Sequence, residues 1–228
     1  MTATLRDGRR VLLRPIEPGD KDRLREGLAR LSPLSTYLRF HSGVHELTDA
    51  QLAYLTEVDH DRHDAWVALA ADDLDGPGLG VARYVADATD PGVAEAAVVV
   101  ADEHQGRGIG TLLLIALGQA ARDHGVRLFR AHVLTENQGV LELLDQLGAQ
   151  RGPSAGGVVE VDLILPDDPS DLPQTPIGRV FRAVAKSELA SVADGDAVAG
   201  SERGELRAWL DAELADGTRA GPDDPAEA

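Results

Sequence analysis

The order of apolar and polar residues along the chain predicts a meander of strands followed by alternating strands and helices. Short apolar runs between turn-forming residues are typical of strands, and apolar residues three and four apart are typical of helices. The predicted strands are 10–15, 66–70, 79–85, 94–101, 126–134 and 158–165. The predicted helices are 20–31, 34–40, 49–58 with Thr48 as its N-cap, 111–124 and 137–147. This order indicates an α/β fold with a mixed sheet and helices on its faces.

The region after the last predicted strand has a different character. Three prolines and three aspartates in 167–176 indicate a linker that follows a first domain at 1–166. Apolar residues at helical spacing predict two amphipathic helices within 177–216, and 217–228 is predicted to be disordered. Three roles stay open for these helices: packing on the first domain, a homodimer contact or a mobile lid.

The chain is strongly acidic, with 22 Lys and Arg against 39 Asp and Glu and a net charge of −17. Such a surface repels phosphate backbones, which argues against nucleic-acid binding, and it attracts cationic partners such as amines or lysine-rich proteins. Acidity that only keeps the protein soluble is an equally good interpretation at this point.

Cysteine is absent, which excludes disulfides, thiolate metal sites and a cysteine acyl-enzyme intermediate. The N-terminal residues carry charge where a signal peptide needs an apolar core. No apolar run approaches the roughly 18 residues of a membrane span. The sequence therefore predicts a soluble, cytoplasmic protein that does not associate with membranes.

Three glycines on alternate positions, Gly106, Gly108 and Gly110, stand between an apolar strand and an apolar helix. A Walker loop needs a lysine, and a dinucleotide-binding loop has GxGxxG near the first strand, so neither pattern fits well. The glycines form either a tight structural turn or a nest of backbone N–H groups that binds pyrophosphate at a helix N-terminus. Coenzyme A carries such a pyrophosphate, and its pantetheine arm can pair with an exposed strand edge.

The stretch QGRGIG at 105–110 resembles the (Q/R)xxGx(G/A) signature of the GNAT superfamily of N-acetyltransferases, and the element order continues the resemblance over 9–165. The resemblance implies a sheet splayed open in the middle, with acetyl-CoA in the V-shaped gap and its pyrophosphate on the glycines. The residues expected to contact acetyl-CoA are Val98, Val99, Val100, Gln105, Gly106, Arg107, Gly108, Ile109, Gly110, Thr111 and Asn137.

A narrower resemblance connects 39–42, 47–48, 80–85 and 94–100 to the bacterial Pat-type protein lysine acetyltransferases. In that family such domains are often fused to a nucleotide-binding or acyl-CoA-synthetase-like domain, for which this sequence has no room. Regulation by a fused domain is therefore not expected here.

Glu95 stands where the Pat family has its catalytic glutamate, and we expect it to accept a proton from the acceptor amine. If Glu95 is buried in the apolar run AEAAVVV, its pKa is raised; the alternative is a side chain that faces solvent. Glu103, in a loop, is the second candidate base. The resemblance implies that a backbone N–H at a strand bulge near Val99 or Val100 stabilises the oxyanion.

Asn137 either contacts pantetheine or simply caps the next helix. Many family members have a tyrosine acid where this chain has Leu144, although a thiolate with a pKa of about 8.5 is a fair leaving group without one. Tyr84 is a candidate replacement, but a half-buried tyrosine in a strand is the more frequent case.

No pattern such as HExxH accompanies the histidines at 41, 45, 60 and 63, so no metal site is predicted. The resemblance implies an acetyl-CoA-dependent N-acetyltransferase that transfers directly to a primary amine, with a protein lysine ahead of a small amine or polyamine. A non-catalytic acyl-CoA-binding regulatory module is the alternative.

Overall fold

The computed structural model describes residues 1–5, 7–40, 46–168, 171 and 173–175. The predicted C-terminal helices and tail lie outside the described residues, as do His41 and His45. In the part of the chain that the structure describes, no helix is long and apolar enough to cross a membrane.

The described residues form one mixed sheet and five α-helices. The strands are β1 (Thr2–Thr4), β2 (Arg10–Pro15), β3 (His63–Ala70), β4 (Gly80–Ala86), β5 (Val93–Val100), β6 (Leu128–Leu134), β7 (Gln150–Ala155) and β8 (Val158–Ile164). The helices are α1 (Lys21–Ala29), α2 (Pro33–Phe40), α3 (Asp49–Thr56), α4 (Ile109–Asp123) and α5 (Gln138–Gln146). Every element predicted within 1–166 is confirmed within a few residues, whereas β1 and β7 were not predicted.

The sheet divides between its fifth and sixth strands. The strands follow the order β1-β2-β3-β4-β5-β6-β8-β7, and every neighbouring pair is antiparallel except β5 with β6. These two strands are parallel and pair only at 93–95 with 128–130. Residues 96–100 of β5 have no pairing to β6 in the described chain, so the two halves of the sheet part there. The predicted fold class, a mixed sheet splayed at its centre, is confirmed.

Helix α4 lies on one face of β3, β4 and β5 and fixes the end of β5. Its side chains Leu113 and Leu117 are fully buried and share one core with the small strand residues Ala68, Ala82 and Ala96. Burial of each leucine contributes about 1.5–3 kcal/mol, and the alanines let the helix approach the strands closely. The first turn of α4 is thereby held at the point where β5 ends.

Helices α1 and α3 contact each other and cover the opposite face of the same strands. The start of α1 is anchored by Asp20, which is 1% exposed and accepts hydrogen bonds from Arg14 at 2.7 and 2.8 Å and from Arg23 at 2.9 Å. The start of α3 is a capping box, in which Thr48 accepts from the Gln51 N–H and Gln51 accepts from the Thr48 N–H. The predicted N-cap at Thr48 is confirmed.

The described residues of the predicted linker contact the main domain. The Thr175 hydroxyl donates a hydrogen bond to the Gln146 carbonyl at the end of α5, and Pro173 lies against Gly148. These contacts hold 173–175 beside the C-terminal end of α5.

Candidate active site

The parting of β5 and β6 opens a cavity of about 410 Å³. Its walls are mostly apolar and come from β5, β6, α5 and β8, including Ala96, Val98, Phe129, Val133 and Leu163. Four polar side chains also line it: Arg39, Glu95, His132 and Asn137. A mostly apolar cavity with a few convergent polar groups is typical of a small-molecule site.

The glycine loop connects β5 to α4. Its backbone conformation explains why two of its three glycines are needed. Gly106 and Gly108 have φ of +71° and +90°, a left-handed conformation that other residues avoid. A Cβ at either position would meet nothing within 4 Å, so the requirement is conformational and not one of space. Gly110 has ordinary φ, and a Cβ there would lie 3.5 Å from Val100 Cγ2. Gly108 is the N-cap of α4, and the first N–H groups of a helix have no partners within it.

The polar side chains that flank the glycines are held by the protein itself. Gln105 Nε2 donates to the Val100 carbonyl at 3.1 Å and to Ser35 Oγ at 3.3 Å. Arg107 donates to Asp7 Oδ2 at 2.8 Å and to the Glu103 carbonyl at 2.9 Å. Both side chains therefore lie beside the loop.

Two further residues predicted to contact acetyl-CoA, both in α4, differ in which of their groups a ligand can reach. Ile109 is 1% exposed and belongs to the core, so only its backbone N–H is available to a ligand. Thr111, in the first turn of the helix, is half-buried. The predicted contact of Ile109 with acetyl-CoA stays a prediction, and it would involve the backbone of the residue.

The three valines at the end of β5 present different groups to the cavity. Val98 lines it, whereas the Val99 side chain lies on the opposite face of the sheet. Strand β4 pairs residues 80–86 with 94–100 of β5 without interruption. The bulge expected near Val99 or Val100 is therefore absent, because the β4 register is continuous. What remains for a ligand is the backbone edge that β6 leaves unpaired.

Glu95 lies at the mouth of the cavity, and its side chain is 70% exposed. Of the two alternatives for Glu95, the structure shows the one that faces solvent: β5 alternates, so that Ala94 and Ala96 enter the core while Glu95 faces outward. His132 Nδ1, on β6, lies 3.9 Å from Glu95 Oε1, and His132 Nε2 lies 3.7 Å from Glu160 Oε2. His132 was not among the predicted site residues, because a polar residue inside a mostly apolar strand is the one signal that it gives in the sequence.

Glu103, the second candidate base, is bound to Arg30 and exposed. Its own backbone N–H and the Arg30 guanidinium lower the pKa of its carboxyl, which makes it a weaker base. Asn137 caps α5, because its Oδ1 accepts from the Val140 N–H at 3.3 Å, and it also lines the cavity. Its contact with pantetheine stays a prediction.

The two candidate acid positions do not provide an acid. Leu144 lines the cavity with an apolar side chain. Tyr84 is fully buried on the α4 face, where its hydroxyl donates to the Asp61 carbonyl at 2.7 Å and lies 3.0 Å from His124 Nδ1. Burial, together with the charges of Asp64 and Asp61, raises the pKa of Tyr84.

The described histidines of the 60–64 stretch have protein partners. His60 Nδ1 lies 2.7 Å from Asp64 Oδ1, and His63 Nε2 accepts from Arg83 at 3.1 Å. Within the described ranges, no group of three or more His, Asp or Glu side chains is arranged to hold a metal ion.

A mixed sheet that parts beside a glycine loop at the start of a helix is typical of an acyltransferase fold, and the similarity of this chain to known proteins agrees with that class. The chain belongs to the acetyltransferase (GNAT) family, whose sequence model matches residues 32–149. The resemblance predicted from the glycine signature is thereby confirmed.

Individual relatives point to the Pat group within that family. The chain is 39% identical to the acetyltransferase Pat of Mycolicibacterium smegmatis over 162 residues, which cover 71% of this chain and 48% of that protein. It is 35% identical to an acetyltransferase of Pseudomonas aeruginosa, covering 66% of this chain and 81% of that protein. The crystal structure of the GNAT domain of S. lividans PAT aligns with a TM-score of 0.67 at 29% identity, covering 72% of this chain and 96% of that one. The chain thus spans about half of the M. smegmatis relative.

Proposed function

We propose that this chain is an acetyl-CoA-dependent N-acetyltransferase. The observation that carries the proposal is the parting of β5 from β6, which ends at the glycine loop and has Glu95 at its mouth. A cavity of about 410 Å³ is within the usual range for small-molecule sites. Membership of the acetyltransferase family supports the same reaction.

The residues of the gap suit coenzyme A. The left-handed glycines and the free N–H groups at the start of α4 favour an anion such as pyrophosphate, with Gln105, Arg107 and Thr111 beside them. The unpaired edge of β5 at 96–100 offers backbone groups to the amides of pantetheine. When bound, acetyl-CoA supplies a thioester carbonyl as the electrophile.

Glu95 accepts the proton that the amine must lose. A lysine amine has a pKa of about 10.4 and attacks only when neutral. Because Glu95 is exposed at the mouth of the cavity, an incoming amine reaches it without displacing any part of the core. His132 Nδ1, on β6, lies 3.9 Å from Glu95 Oε1, so the imidazole is next to the candidate base. Leu144 supplies no acid, so the thiolate leaves without a proton donor from that position.

A protein lysine is the acceptor that we favour over a small amine or polyamine. Helix α2 borders the cavity through Leu38 and Arg39, and it exposes large side chains to solvent, with Leu34 61% and Tyr37 42% exposed. Exposed apolar and aromatic residues around a cavity suit contact with a protein surface. The relatedness to Pat supports the same acceptor class.

Isothermal titration with acetyl-CoA tests the cofactor site. The wild-type protein is expected to bind saturably, and Gly108→Glu to weaken binding about tenfold or more, because it adds a negative charge where the phosphates lie. Gly156→Glu is the matched control: Gly156 also has positive φ, at +60°, and open surroundings, but it lies in the β7–β8 turn.

An absence of binding to the wild type would contradict the proposal, and so would equal weakening by both variants. Where binding is found, a screen of peptide lysines, small amines and polyamines identifies the acceptor. Saturable binding with no turnover on any of these would leave the non-catalytic acyl-CoA-binding module as the better interpretation.

A further inference from the structure

Arg83 is a buried charge on the same face of the sheet as Glu95. It is 8% exposed, and it pairs with Ala97 in the register of β4 and β5, while its neighbour Val85 pairs with Glu95. Residues directly opposite in an antiparallel pair share a face, and so do residues two apart along a strand. Arg83 and Glu95 are therefore diagonal neighbours on the face that α4 does not cover.

Among the described residues, the hydrogen bonds of Arg83 go to neutral groups. Its guanidinium donates to His63 Nε2 at 3.1 Å and to the Leu55 carbonyl at 3.2 Å. The carbonyl is neutral, and burial and the Arg83 charge lower the pKa of His63, so His63 is a neutral acceptor as well. No ion pair between Arg83 and a carboxylate forms among the described residues. A buried guanidinium with only neutral acceptors is costly.

A second arginine makes this environment more positive. Arg39, on α2, lines the cavity at the β5–β6 gap. Arg39 and Arg83 together line a second, smaller cavity of about 80 Å³. Burial and the charge of Arg39 lower the pKa of Arg83 to about 10. Burial also lowers the pKa of Arg39, while the charge of Glu95 opposes this shift. Arg39 thus lines one cavity together with Glu95 and the other together with Arg83.

The carboxylate that lines the smaller cavity is already engaged. The Asp20 carboxylate accepts hydrogen bonds from both Nη atoms of Arg14 and from one Nη atom of Arg23. It also accepts one from the Glu17 N–H at 2.8 Å. In a protein with a net charge of −17, the buried Arg83, with the half-buried Arg39 on the wall of the same small cavity, marks a place beside the candidate active site where a negative group from outside is favoured. The planar guanidinium matches a carboxylate in shape and donates two parallel hydrogen bonds to it.

We propose that Arg39 and Arg83 bind a carboxylate group carried by a substrate, and that this contact sets the position of the substrate at Glu95. This inference rests on the proposed transferase function. Two residues of strand separate the level of Arg83 from that of Glu95, which is about 7 Å. The carboxylate belongs either to the acceptor, for example an acidic residue beside the acceptor lysine, or to the far end of a dicarboxylic acyl donor.

The first experiment measures carboxylate binding without turnover. The melting temperature is followed while sodium glutarate replaces sodium chloride at constant ionic strength, for the wild type, Arg83→Met and Arg62→Met. Arg62 is the matched control because it is an exposed arginine whose guanidinium bonds the Asp87 carbonyl. We expect a saturable rise of several degrees for the wild type and Arg62→Met and none for Arg83→Met. Equal melting temperatures in glutarate and chloride for the wild type would overturn the proposal, as would an undiminished rise in Arg83→Met.

The second experiment separates the two sources of the carboxylate. One arm compares peptides in which glutamate or glutamine flanks the acceptor lysine. The other compares succinyl-CoA with butyryl-CoA, which differ by a carboxylate in place of a methyl group. We expect kcat/KM to favour the carboxylate about tenfold or more in one arm, and the ratio to fall towards one in Arg83→Met. No preference in either arm overturns the proposal.

The two hypotheses fail differently. A glutarate response in a protein that does not bind acetyl-CoA in calorimetry would contradict the transferase function and leave a carboxylate site. Acetyl-CoA binding with no glutarate response would leave the transferase function and remove the carboxylate site.

Discussion

Glu95 and Arg83 face the same side of the sheet, yet the Glu95 side chain is 70% exposed and Arg83 is 8% exposed. The difference arises because β4 lies inside the sheet under α1 and α3, whereas β5 loses its partner β6 just beyond Glu95. Exposure suits a base that must meet a substrate from solvent, and burial suits a charge that must attract one.

We expect Glu95→Gln to lower kcat about a hundredfold or more, because the amide cannot accept the proton of the amine. Acetyl-CoA affinity is expected to stay at the wild-type value, since Glu95 lies away from the glycine loop. Steady-state kinetics with saturating acetyl-CoA, together with calorimetry, measure the two effects. Glu103→Gln, which removes the rival candidate held by Arg30, is expected to leave kcat near wild type; an equal loss in both variants would show that Glu95 is not the base.

At the scale of elements, two aspartates attach the N-terminal helices to the sheet. Asp20 joins β2 to α1 through Arg14 and Arg23. Asp102, just after β5, accepts hydrogen bonds from Ser32 and Ser35 at the start of α2. Burial opposes ionisation of Asp102, but these hydrogen bonds outweigh it and lower its pKa. Helix α2, which carries Arg39, is thereby tied to the segment that leads into the glycine loop.

Asp20→Asn should lower the free energy of unfolding by about 3 kcal/mol, because two arginines lose a buried carboxylate. Burial raises the pKa of Asp20, but the Arg14 hydrogen bond and the Glu17 N–H bring it below its usual value. The stabilisation is therefore complete above the pKa of the unfolded chain, about 4, and is lost as the pH falls through the lower folded pKa.

Urea unfolding between about pH 3 and pH 7 measures this effect. The wild type is expected to lose stability at the acidic end more steeply than Asp20→Asn. Asp22→Asn is the matched control on the same helix, because the Asp22 side chain is 84% exposed and its ion pair with Arg25 contributes little. Parallel pH profiles for the wild type and Asp20→Asn would contradict the account.

At the scale of the whole molecule, the net charge of −17 has opposite effects on the two proposed substrates. A lysine-rich acceptor is attracted and acetyl-CoA, itself an anion, is repelled, so local groups at the glycine loop must overcome the general field. The cluster of Arg39 and Arg83 is likewise a local positive region inside an acidic molecule.

Raising NaCl from about 20 to 300 mM should lower kcat/KM for a lysine-rich peptide several-fold, because salt screens the attraction. The Kd of acetyl-CoA should change less or decrease, because salt also screens the general repulsion of the cofactor. Initial rates at several salt concentrations, with an uncharged peptide around the same lysine as control, check the prediction. An equal response of the charged and uncharged peptides would show that the surface charge does not steer the acceptor.

Local patterns determined the elements of this protein. Apolar spacing located the helices and most strands, Thr48 marked a cap, and the alternate glycines marked a turn whose Gly106 and Gly108 need positive φ. Two strands were not predicted from the sequence. Strand β1 has only three residues, and β7 contains Gly152 and Pro153, which disrupt the pattern of a strand. Such signals are local, since capping and turn conformations depend on neighbours in the chain.

Only the tertiary structure decided how the site is composed. Where β5 and β6 part depends on long-range register, which no periodicity encodes, and that parting exposes Glu95 and brings His132 beside it. The nearness of Arg39 to Arg83 likewise follows from how α2 and α3 cover the sheet. The sequence by itself determined the elements, the glycine turn and the family, because these depend on residues close together in the chain. The exposure of the base and the pairing of the arginines depend on contacts between distant segments, which form only when the sheet and its helices assemble.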